Sequence, residues 1–437
     1  MAKHDSGGYR GVGADLLSKH GVSVGDSVRI ATEDGDMSGV LMPRYESASE
    51  DYIVIKLKTG YNTGIQAGKI KSMIKLSKSE SPSVAKAHEI AENKNLPKIA
   101  LISTGGTIAS KIDYRTGGVH AALSASELYQ SVPELASYAS IDPEVLLSEY
   151  SENLKPEHWT TIAEKVAEKV KSARYRGIVV SHGTDTMHYT AAALSFALQG
   201  LPIPVVLVGA QRSSDRPSSD AALNLLGATV FASKAEYAGV FVAMHASTSD
   251  DVIACHVGTR VRKNHTSRRD AFESIDITPI ALVTNNSVEM QRSEIMLAKR
   301  SSGNFVVKPK FDHRVALLKY HPGFDPKMIE HATKTYRAII LEGTGLGHVS
   351  KECFPALKKA AGAGVMVCMT SQCIWGRVRM TVYDTGRDLL DIGVVPMSDM
   401  ISETATVKAM WALANSNDAK KAMQENLANE ISVSIPL

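Results

Sequence analysis

Two segments carry the residue types that could do chemistry. Leu101-Ile102-Ser103-Thr104-Gly105-Gly106-Thr107-Ile108-Ala109 and Val179-Val180-Ser181-His182-Gly183-Thr184-Asp185-Thr186 each run an apolar strand into a loop of small residues and hydroxyls. In open α/β sheets, ligands bind at the C-terminal ends of strands, which is where such loops fall. Gly105 and Gly106 let the backbone turn tightly and approach a ligand, and their N–H groups can face a developing oxyanion. Thr107 would then sit beside a substrate carbonyl. The same residues would also make a plain turn, with Thr107 capping a helix or satisfying local backbone. A phosphate loop is disfavoured because no GxxxxGK follows. At the second junction, Thr184 or Asp185 is a good N-cap for a helix starting near Thr186. The chemical alternative makes Thr184 a nucleophile or proton relay and lets Asp185 bind a substrate ammonium. Two threonines delivered to one crevice are the equipment of acyl transfer.

A threonine hydroxyl is a weak nucleophile and needs a base. No histidine stands in an obvious triad motif, so a lysine held neutral by burial beside other cations is the candidate. Such a lysine could lie in Arg260-Val261-Arg262-Lys263-Asn264-His265-Thr266-Ser267-Arg268-Arg269. That run also reads as a solvated basic loop or a phosphate-contacting patch, and spacing alone does not choose Lys263 from its neighbours. His182 sits between strand and helix, where it could simply pack or hydrogen-bond. His245, His256 and His321 lack metal-ligand spacing, and Asp250-Asp251 reads as a loop or cap, so no metal site is expected.

The elements around these residues belong to an ordinary globular chain. Over 437 residues, 44% are hydrophobic, 22% charged and 6% aromatic, with a net charge of +3. That balance is too mild for nucleic-acid binding by the chain as a whole. Cys255, Cys353, Cys368 and Cys373 form no CxxC pair, which predicts reduced thiols rather than disulfides or zinc, and a cytoplasmic location. Neither a signal peptide nor a membrane-length apolar run is visible.

Met1 to Gly13 is polar and glycine-rich and reads as a loose terminus. From Val22 to Leu76, short alternating runs broken by Gly35, Gly39, Pro43, Gly60 and Gly64 predict a small β domain, an SH3-like barrel. In Tyr52 to Lys58, Ile53, Ile55 and Leu57 share one face. Ser77 to Pro97 reads as a linker with a helical stretch around Val84 to Ala91. Apolar strands and helical patterns then alternate, predicting parallel sheets with right-handed crossovers. The strands are Ile99–Ser103, Gly177–Ser181, Val205–Gly209 and Gly239–Met244; the helices are Pro156–Ser172, Thr186–Gln199 and Ser219–Ser233. Met187, Ala191, Leu194 and Leu198 give one apolar helical face. The pattern lapses into charge between Gln291 and His313. It resumes as strands Val315–Tyr320, Ala338–Leu341 and Val365–Thr370 with helices Lys327–Thr333 and Lys351–Ala361. The expected organisation is a β domain over 1–76, a linker over 77–96, a larger α/β domain over 97–290, a connector over 291–312 and a smaller α/β domain over 313–437.

Ser103-Thr104-Gly105-Gly106-Thr107-Ile108-Ala109-Ser110, Ser181-His182-Gly183-Thr184-Asp185-Thr186-Met187 and Arg260-Val261-Arg262-Lys263 occur in the order and approximate spacing of the bacterial-type L-asparaginase family. Gly209-Ala210-Gln211-Arg212-Ser213-Ser214-Asp215 and Gly343-Thr344-Gly345-Leu346-Gly347 are similar to that family too. The resemblance runs from about Pro97 to the end. It implies an α/β, asparaginase-like two-domain body with mainly parallel sheets and protomers that pair to complete their sites. It also implies that Thr107 is the first catalytic threonine, and that Thr184, Asp185 and Lys263 form the second catalytic group. Thr107 is favoured as the attacking group, with Lys263 polarising Thr184 and Gly106 lining the substrate site. Tyr150-Ser151-Glu152-Asn153-Leu154 matches the segment that binds the substrate α-carboxylate, pointing to Ser151 and Glu152, with a glutamate where a glutamine is frequent. The same stretch would also serve as a turn before the Pro156 helix. For the family's mobile-loop tyrosine, Tyr114 is the nearby candidate, although Thr116-Gly117-Gly118-Val119 competes for its place.

A plain asparaginase does not need the β-rich front domain. That domain, with Thr59-Gly60-Tyr61-Asn62-Thr63-Gly64-Ile65, resembles the D-subunit family of archaeal glutamyl-tRNA(Gln) amidotransferases. The resemblance implies a glutaminase that hydrolyses glutamine, or asparagine, and releases ammonia. It implies a partner, the amidotransferase E-subunit, that holds ATP and Mg2+ and makes most of the contact with Glu-tRNA(Gln). It further implies a homodimer within a heterotetramer, no membrane, and no cofactor in this chain. A stand-alone L-asparaginase/glutaminase is the alternative, and a non-catalytic RNA-binding or scaffold protein is disfavoured because no catalytic residue is missing.

Overall fold

A computed structural model describes residues 8–42, 44, 49–57, 62–77, 95–105, 110–112, 119–121, 132–212, 219–249, 251–284, 286–292, 295–301 and 304–432. The front domain begins with helix α1 (Gly11–His20) and continues as strands β1 (Ser27–Thr32), β2 (Gly35–Leu41), β3 (Tyr52–Leu57), β4 (Asn62–Gln66) and β5 (Ile70–Ser77). These form one antiparallel sheet in the order β4-β3-β2-β1-β5. The described pairings include none between β4 and β5 that would close an SH3-like barrel. Ile53 and Ile55 are fully buried, as their alternation predicts. The loose start expected over Met1 to Gly13 gives way, from residue 8 onward, to an anchored one. Tyr9 is buried; its hydroxyl donates to the Met42 carbonyl at 2.8 Å and accepts the Val54 N–H at 3.0 Å. A buried aromatic with a satisfied hydroxyl outweighs the glycine-rich composition around it. The helix expected near Val84 lies outside the described residues.

The large sheet contains β6 (Lys98–Ser103), β9 (Ser140–Val145), β10 (Gly177–Ser181), β12 (Pro204–Val208), β13 (Gly239–His245), β14 (Ile253–Val257), β17 (Ala281–Thr284) and β18 (Ser287–Met290). Three separate two-stranded pairs stand outside it: β7 (Ser110–Ile112) with β8 (Val119–Ala121), β11 (Leu198–Gln199) with β19 (Val306–Val307), and β15 (Val261–Lys263) with β16 (Phe272–Ser274). Strands β9, β6, β10, β12 and β13 are parallel neighbours in that order. The run β13-β14-β17-β18 is antiparallel, an extension that the strand-helix alternation does not forecast. Strands β10 and β12 are buried at every residue, because helices cover both faces. Ile99, Leu101, Val179 and Val206 pack on one face with Leu225 and Phe231 of α4 (Ala221–Lys234). Ala100, Ile102, Ile178 and Val180 pack on the other, with Ile162 and Val166 of α2 (Pro156–Lys171) and with the Met187, Ala191, Leu194 stripe of α3 (Met187–Ala197).

The second sheet is parallel, in the order β20 (Val315–Lys319), β21 (Ala338–Gly343), β22 (Met366–Ser371), β23 (Val395–Pro396). Helices α5 (Lys327–Thr335), α6 (Phe354–Gly362) and α7 (Asp384–Ile392) cover one face, and α8 (Ser402–Asn415) the other, followed by the short α9 (Ala419–Gln424). The helix expected over Lys351–Ala361 is a 3₁₀ turn, Lys351–Cys353, followed by α6 with Pro355 in its first turn, where the missing N–H costs nothing. α8 is not legible as amphipathic because it is buried all round. Its Val407, Ala409 and Trp411 join Ala192, Ala193 and Phe196 of α3 in a core that packs this helix of the larger domain over the second sheet. Fully burying a side chain such as Phe196 contributes about 1.5–3 kcal/mol. Among the described residues no helix is long and apolar enough to cross a membrane.

Candidate active site

Strands β6 and β10 are parallel neighbours with Ser103 opposite Ser181. The chain leaves β6 toward β9 on one side and leaves β10 toward β12 on the other. Their C-terminal ends therefore form a topological switch point, the crevice in which α/β sheets bind ligands. The two ends are stitched together: the Thr104 N–H and hydroxyl donate to the Ser181 carbonyl at 3.0 and 2.9 Å. Gly105 follows at φ +123°, where a Cβ would fall 2.1 Å from the Glu149 carbonyl oxygen. Both the backbone angle and that approach require glycine. Gly106, Thr107 and Tyr114 lie outside the described residues.

At the end of β10, an oriented chain of donors fixes the loop. His182 is fully enclosed, and burial holds its pKa down to about 4, so the ring is neutral near neutral pH. Its Nδ1 is 2.6 Å from the Gly183 carbonyl, which can only accept, so Nδ1 carries the proton. Nε2 must then accept from the Thr190 hydroxyl at 2.9 Å, while Thr190 itself accepts the Trp159 Nε1–H at 3.1 Å. His182 thus has no capacity left to act as a base and serves the backbone instead. Thr186, the N-cap residue of α3, makes no side-chain cap. Its hydroxyl donates to the Ser151 carbonyl at 2.7 Å and ties the two loops together. A Cβ on Gly183 would stand 2.9 Å from Ser151 Cβ, which shows how closely they are packed.

Lys263 reaches this loop from the end of β15. Its Nζ donates to Thr184 Oγ1 at 3.0 Å and to Asp185 Oδ1 at 2.6 Å. The lysine side chain is 8% exposed and the Asp185 side chain 67% exposed, so the ammonium is covered while the carboxylate faces outward. With Lys263 donating to its oxygen, the Thr184 hydroxyl keeps its own proton free to pass to or receive from a third group. Asp185 remains available to a bound cation such as an amino-acid ammonium. Ser151 is buried beside Gly183, and Glu152 is exposed next to it. Thr184, Asp185 and Lys263 are thus joined by direct bonds and Ser151 packs against the same loop, with Glu152 following it in the 3₁₀ turn.

The other readings of the basic run separate residue by residue. Arg260 is buried and bonds Asp399 at 3.0 Å, Arg262 pairs with Glu403 at 2.7 Å, and Arg268 pairs with Asp270 at 2.5 Å. Arg260 and Arg262 are thus taken up by ion pairs with the C-terminal half rather than by a phosphate-binding patch, while Arg268 is exposed and held by its near neighbour Asp270. Residues that sequence reasoning passes over include Asp220, which accepts the N–H groups of Gln211 and Arg212 at 3.0 and 2.9 Å. Asn224 donates to the Gly209 carbonyl at 2.9 Å and lies 2.6 Å from His245 Nδ1. This buried network sets the loop after β12 against Thr184, and its sequence signal is the i, i+4 spacing of Asp220, the N-cap of α4, and Asn224 in its first turn.

Residues 98–296 match the family described as "Asparaginase, N-terminal", 314–425 the "Glutaminase/Asparaginase C-terminal domain", and 22–76 the "GatD N-terminal domain". The D-subunit of the Pyrococcus furiosus glutamyl-tRNA(Gln) amidotransferase is 49% identical over 427 residues, covering 95% of this chain and 97% of that protein. The Methanopyrus kandleri protein of the same name is 46% identical, covering 97% of this chain and 94% of its own length. Among solved structures, the thermostable L-asparaginase of Thermococcus kodakarensis superposes with a TM-score of 0.69 at 34% identity, over 77% of this chain and 100% of that one. L-asparaginase I of Vibrio cholerae gives 0.67 at 28% identity, with the same coverage.

Proposed function

This chain belongs to the family of glutamyl-tRNA(Gln) amidotransferase D-subunits, and on that premise we propose that it is the glutaminase of a tRNA-dependent amidotransferase. It hydrolyses the side-chain amide of glutamine and supplies ammonia to a partner, the E-subunit, which amidates Glu-tRNA(Gln) with ATP and Mg2+ in the cytoplasm. This chain needs no cofactor of its own for the amide hydrolysis. Two copies pair within a heterotetramer. The observation that carries the chemistry is the Lys263 Nζ placed 3.0 Å from Thr184 Oγ1 at the mouth of a parallel-sheet crevice. The front β domain favours the amidotransferase over a stand-alone asparaginase, since the solved asparaginases superpose on 77% of the chain and are themselves fully covered.

In this reading Ser151, Glu152 and Asp185 orient the amino-acid head group. Thr107 attacks the amide carbon, its proton passing to the Thr184 oxygen, which Lys263 holds and polarises, while Thr184 gives its own proton toward the leaving nitrogen. Backbone N–H groups near Gly106 or Thr184 stabilise the oxyanion. The tetrahedral intermediate collapses as the leaving nitrogen takes a proton, so the C–N bond breaks and ammonia departs. Water then adds to the acyl-threonine ester, releasing glutamate and restoring the hydroxyl.

The test is ammonia release from glutamine and from asparagine, by the chain alone and with its partner and Glu-tRNA(Gln). Strong stimulation by the complex supports the reading; full activity alone on asparagine only refutes it. Lys263→Ala, Thr184→Ala and Thr107→Ala should each lower glutamine turnover by at least about 10²-fold. Amidation of Glu-tRNA(Gln) from added ammonium should survive in all three. Normal glutamine turnover in Lys263→Ala would remove it from the relay.

A further inference from the structure

The residues leading into Lys263 are zipped to the C-terminal half at two short segments, 399–404 and 428–432. The Thr404 hydroxyl donates to the Thr259 carbonyl at 2.9 Å. Arg260, 1% exposed, donates to Asp399 Oδ2 at 3.0 Å, to the Asn429 carbonyl at 2.7 Å and to Ser432 Oγ at 2.9 Å. Arg262 Nε donates to Glu403 Oε1 at 2.7 Å, and its Nη1 to Asn264 Oδ1 at 3.2 Å. Strand alternation explains the division of labour. Along β15, Arg262 leaves on the face opposite Val261 and Lys263, so Val261 fills the core, Lys263 enters the crevice and Arg262 is left to grip α8.

The strand itself offers little to replace this grip. It is three residues long and pairs only with β16 among the described residues. A strand so short has few ladder bonds to hold its register. Lys263 nevertheless must keep its Nζ within hydrogen-bond reach of Thr184, whose own loop is fixed from the other side by His182 and Ser151. Among the described residues Glu403 is the carboxylate bonded to Arg262, and its side chain is 12% exposed. An ion pair sheltered to that degree is directional and weakly screened.

We propose that Arg262 and Glu403 are positioning residues for the amide hydrolysis: their ion pair, between β15 and the first turn of α8, sets the depth at which Lys263 meets Thr184. The C-terminal half thereby determines whether the threonine relay in the larger sheet is assembled. This inference rests on the assignment of Lys263 and Thr184 to the relay.

The experiment measures glutamine turnover by the full chain, alone and with its partner, separating kcat from KM. Arg262→Gln comes first, because its side chain is 32% exposed and its loss leaves the core intact. Glu403→Gln and Glu403→Asp follow, each with an unfolding midpoint. Arg262→Gln and Glu403→Gln should lower kcat about 10-fold or more with KM within about 3-fold, since displacement by a fraction of an ångström suffices. Glu403→Asp, which keeps the charge, should recover part of kcat. A kcat within about 2-fold of the parent in both glutamine variants overturns the proposal. A loss in Glu403→Gln that Glu403→Asp does not relieve, although both stay folded, also overturns it. Lys263→Ala separates the two levels. If that variant is inactive while Arg262→Gln and Glu403→Gln are normal, only the positioning role fails. If Lys263→Ala is itself active, the relay assignment fails first.

Discussion

Gly209→Ala tests the site through a contact that the active residues do not advertise. Gly209 follows β12, and an added Cβ would stand 2.7 Å from Thr184 Cγ2 and 2.8 Å from the His182 carbonyl oxygen. Ordinary contact begins at 3.4 Å, so Thr184 must retreat by at least 0.7 Å, the difference between 3.4 and 2.7. The His182 end cannot yield easily, because its N–H is bonded to the Val208 carbonyl at 2.9 Å and its ring is locked on both sides. If the retreat is away from Lys263, the 3.0 Å bond lengthens to 3.7 Å, outside hydrogen-bond range. A misplacement of about 1 Å can cost about 10²-fold in rate, so kcat on glutamine should drop about 10- to 100-fold. Overpacking should cost a further ~1–3 kcal/mol of stability. The assay is ammonia release over a glutamine series, with thermal unfolding of the same samples. Gly362→Ala is the control, since its Cβ would meet nothing within 4 Å. A folded Gly209→Ala protein with kcat within about 2-fold of the parent would refute the claim that Thr184 must hold its place.

Three other perturbations follow from buried polar groups. His182, His188 and His256 are each buried and held down to about 4, against 6.5 for the free side chain. Their unfolded forms bind protons that the native forms reject, so stability should fall as pH drops from 6.5 toward 4, with a slope of up to about 1.4 kcal/mol per pH unit for each histidine. Denaturant unfolding across that range reads it, and a flat curve would contradict the neutral assignment of His182. Lys408 and Glu430 are both fully enclosed, 2.5 Å apart, and Glu430 also takes the N–H groups of Leu427 and Ala428. Glu430→Gln should therefore cost about 3–5 kcal/mol in denaturant unfolding, because it strands a buried ammonium. A loss under about 1 kcal/mol would mean that water reaches the pair. Tyr9→Phe should loosen the front domain by about 1–3 kcal/mol, since it leaves the Val54 N–H and the Met42 carbonyl short of a partner; hydrogen exchange at Val54 checks it.

Much of the architecture is readable because its signals are local. Strand Gly177–Ser181 is found with the residues expected, and the helix expected over Pro156–Ser172 ends one residue earlier. The stripe Met187, Ala191, Leu194 packs where its spacing puts it. The misses have a common cause. α8 and the second face of α3 are buried against each other, so neither shows the polar side that makes a helix visible in sequence. The antiparallel edge β14-β17-β18 breaks the strand-helix rhythm that serves for the parallel part. Tyr9 anchors a segment whose composition says otherwise.

The chemical vocabulary is written in the chain itself: hydroxyls and glycines at strand ends, a basic run, a β-rich front domain, and motifs that resemble two related families. Residue types and spacing leave open whether Thr184 and Asp185 are chemical or merely cap a helix, and which cation of the run reaches them; the family resemblance points to Lys263. Those were questions of distance between residues far apart in the chain. Lys263 and Thr184 are separated by 79 positions, and Arg262 and Glu403 by 141. Local patterns fix which face of an element is apolar, but not where the tips of long polar side chains meet. Only tertiary structure spent the Thr186 hydroxyl on Ser151, turned Arg260 and Arg262 toward the C-terminal half, and left Lys263 on the strand face that meets Thr184.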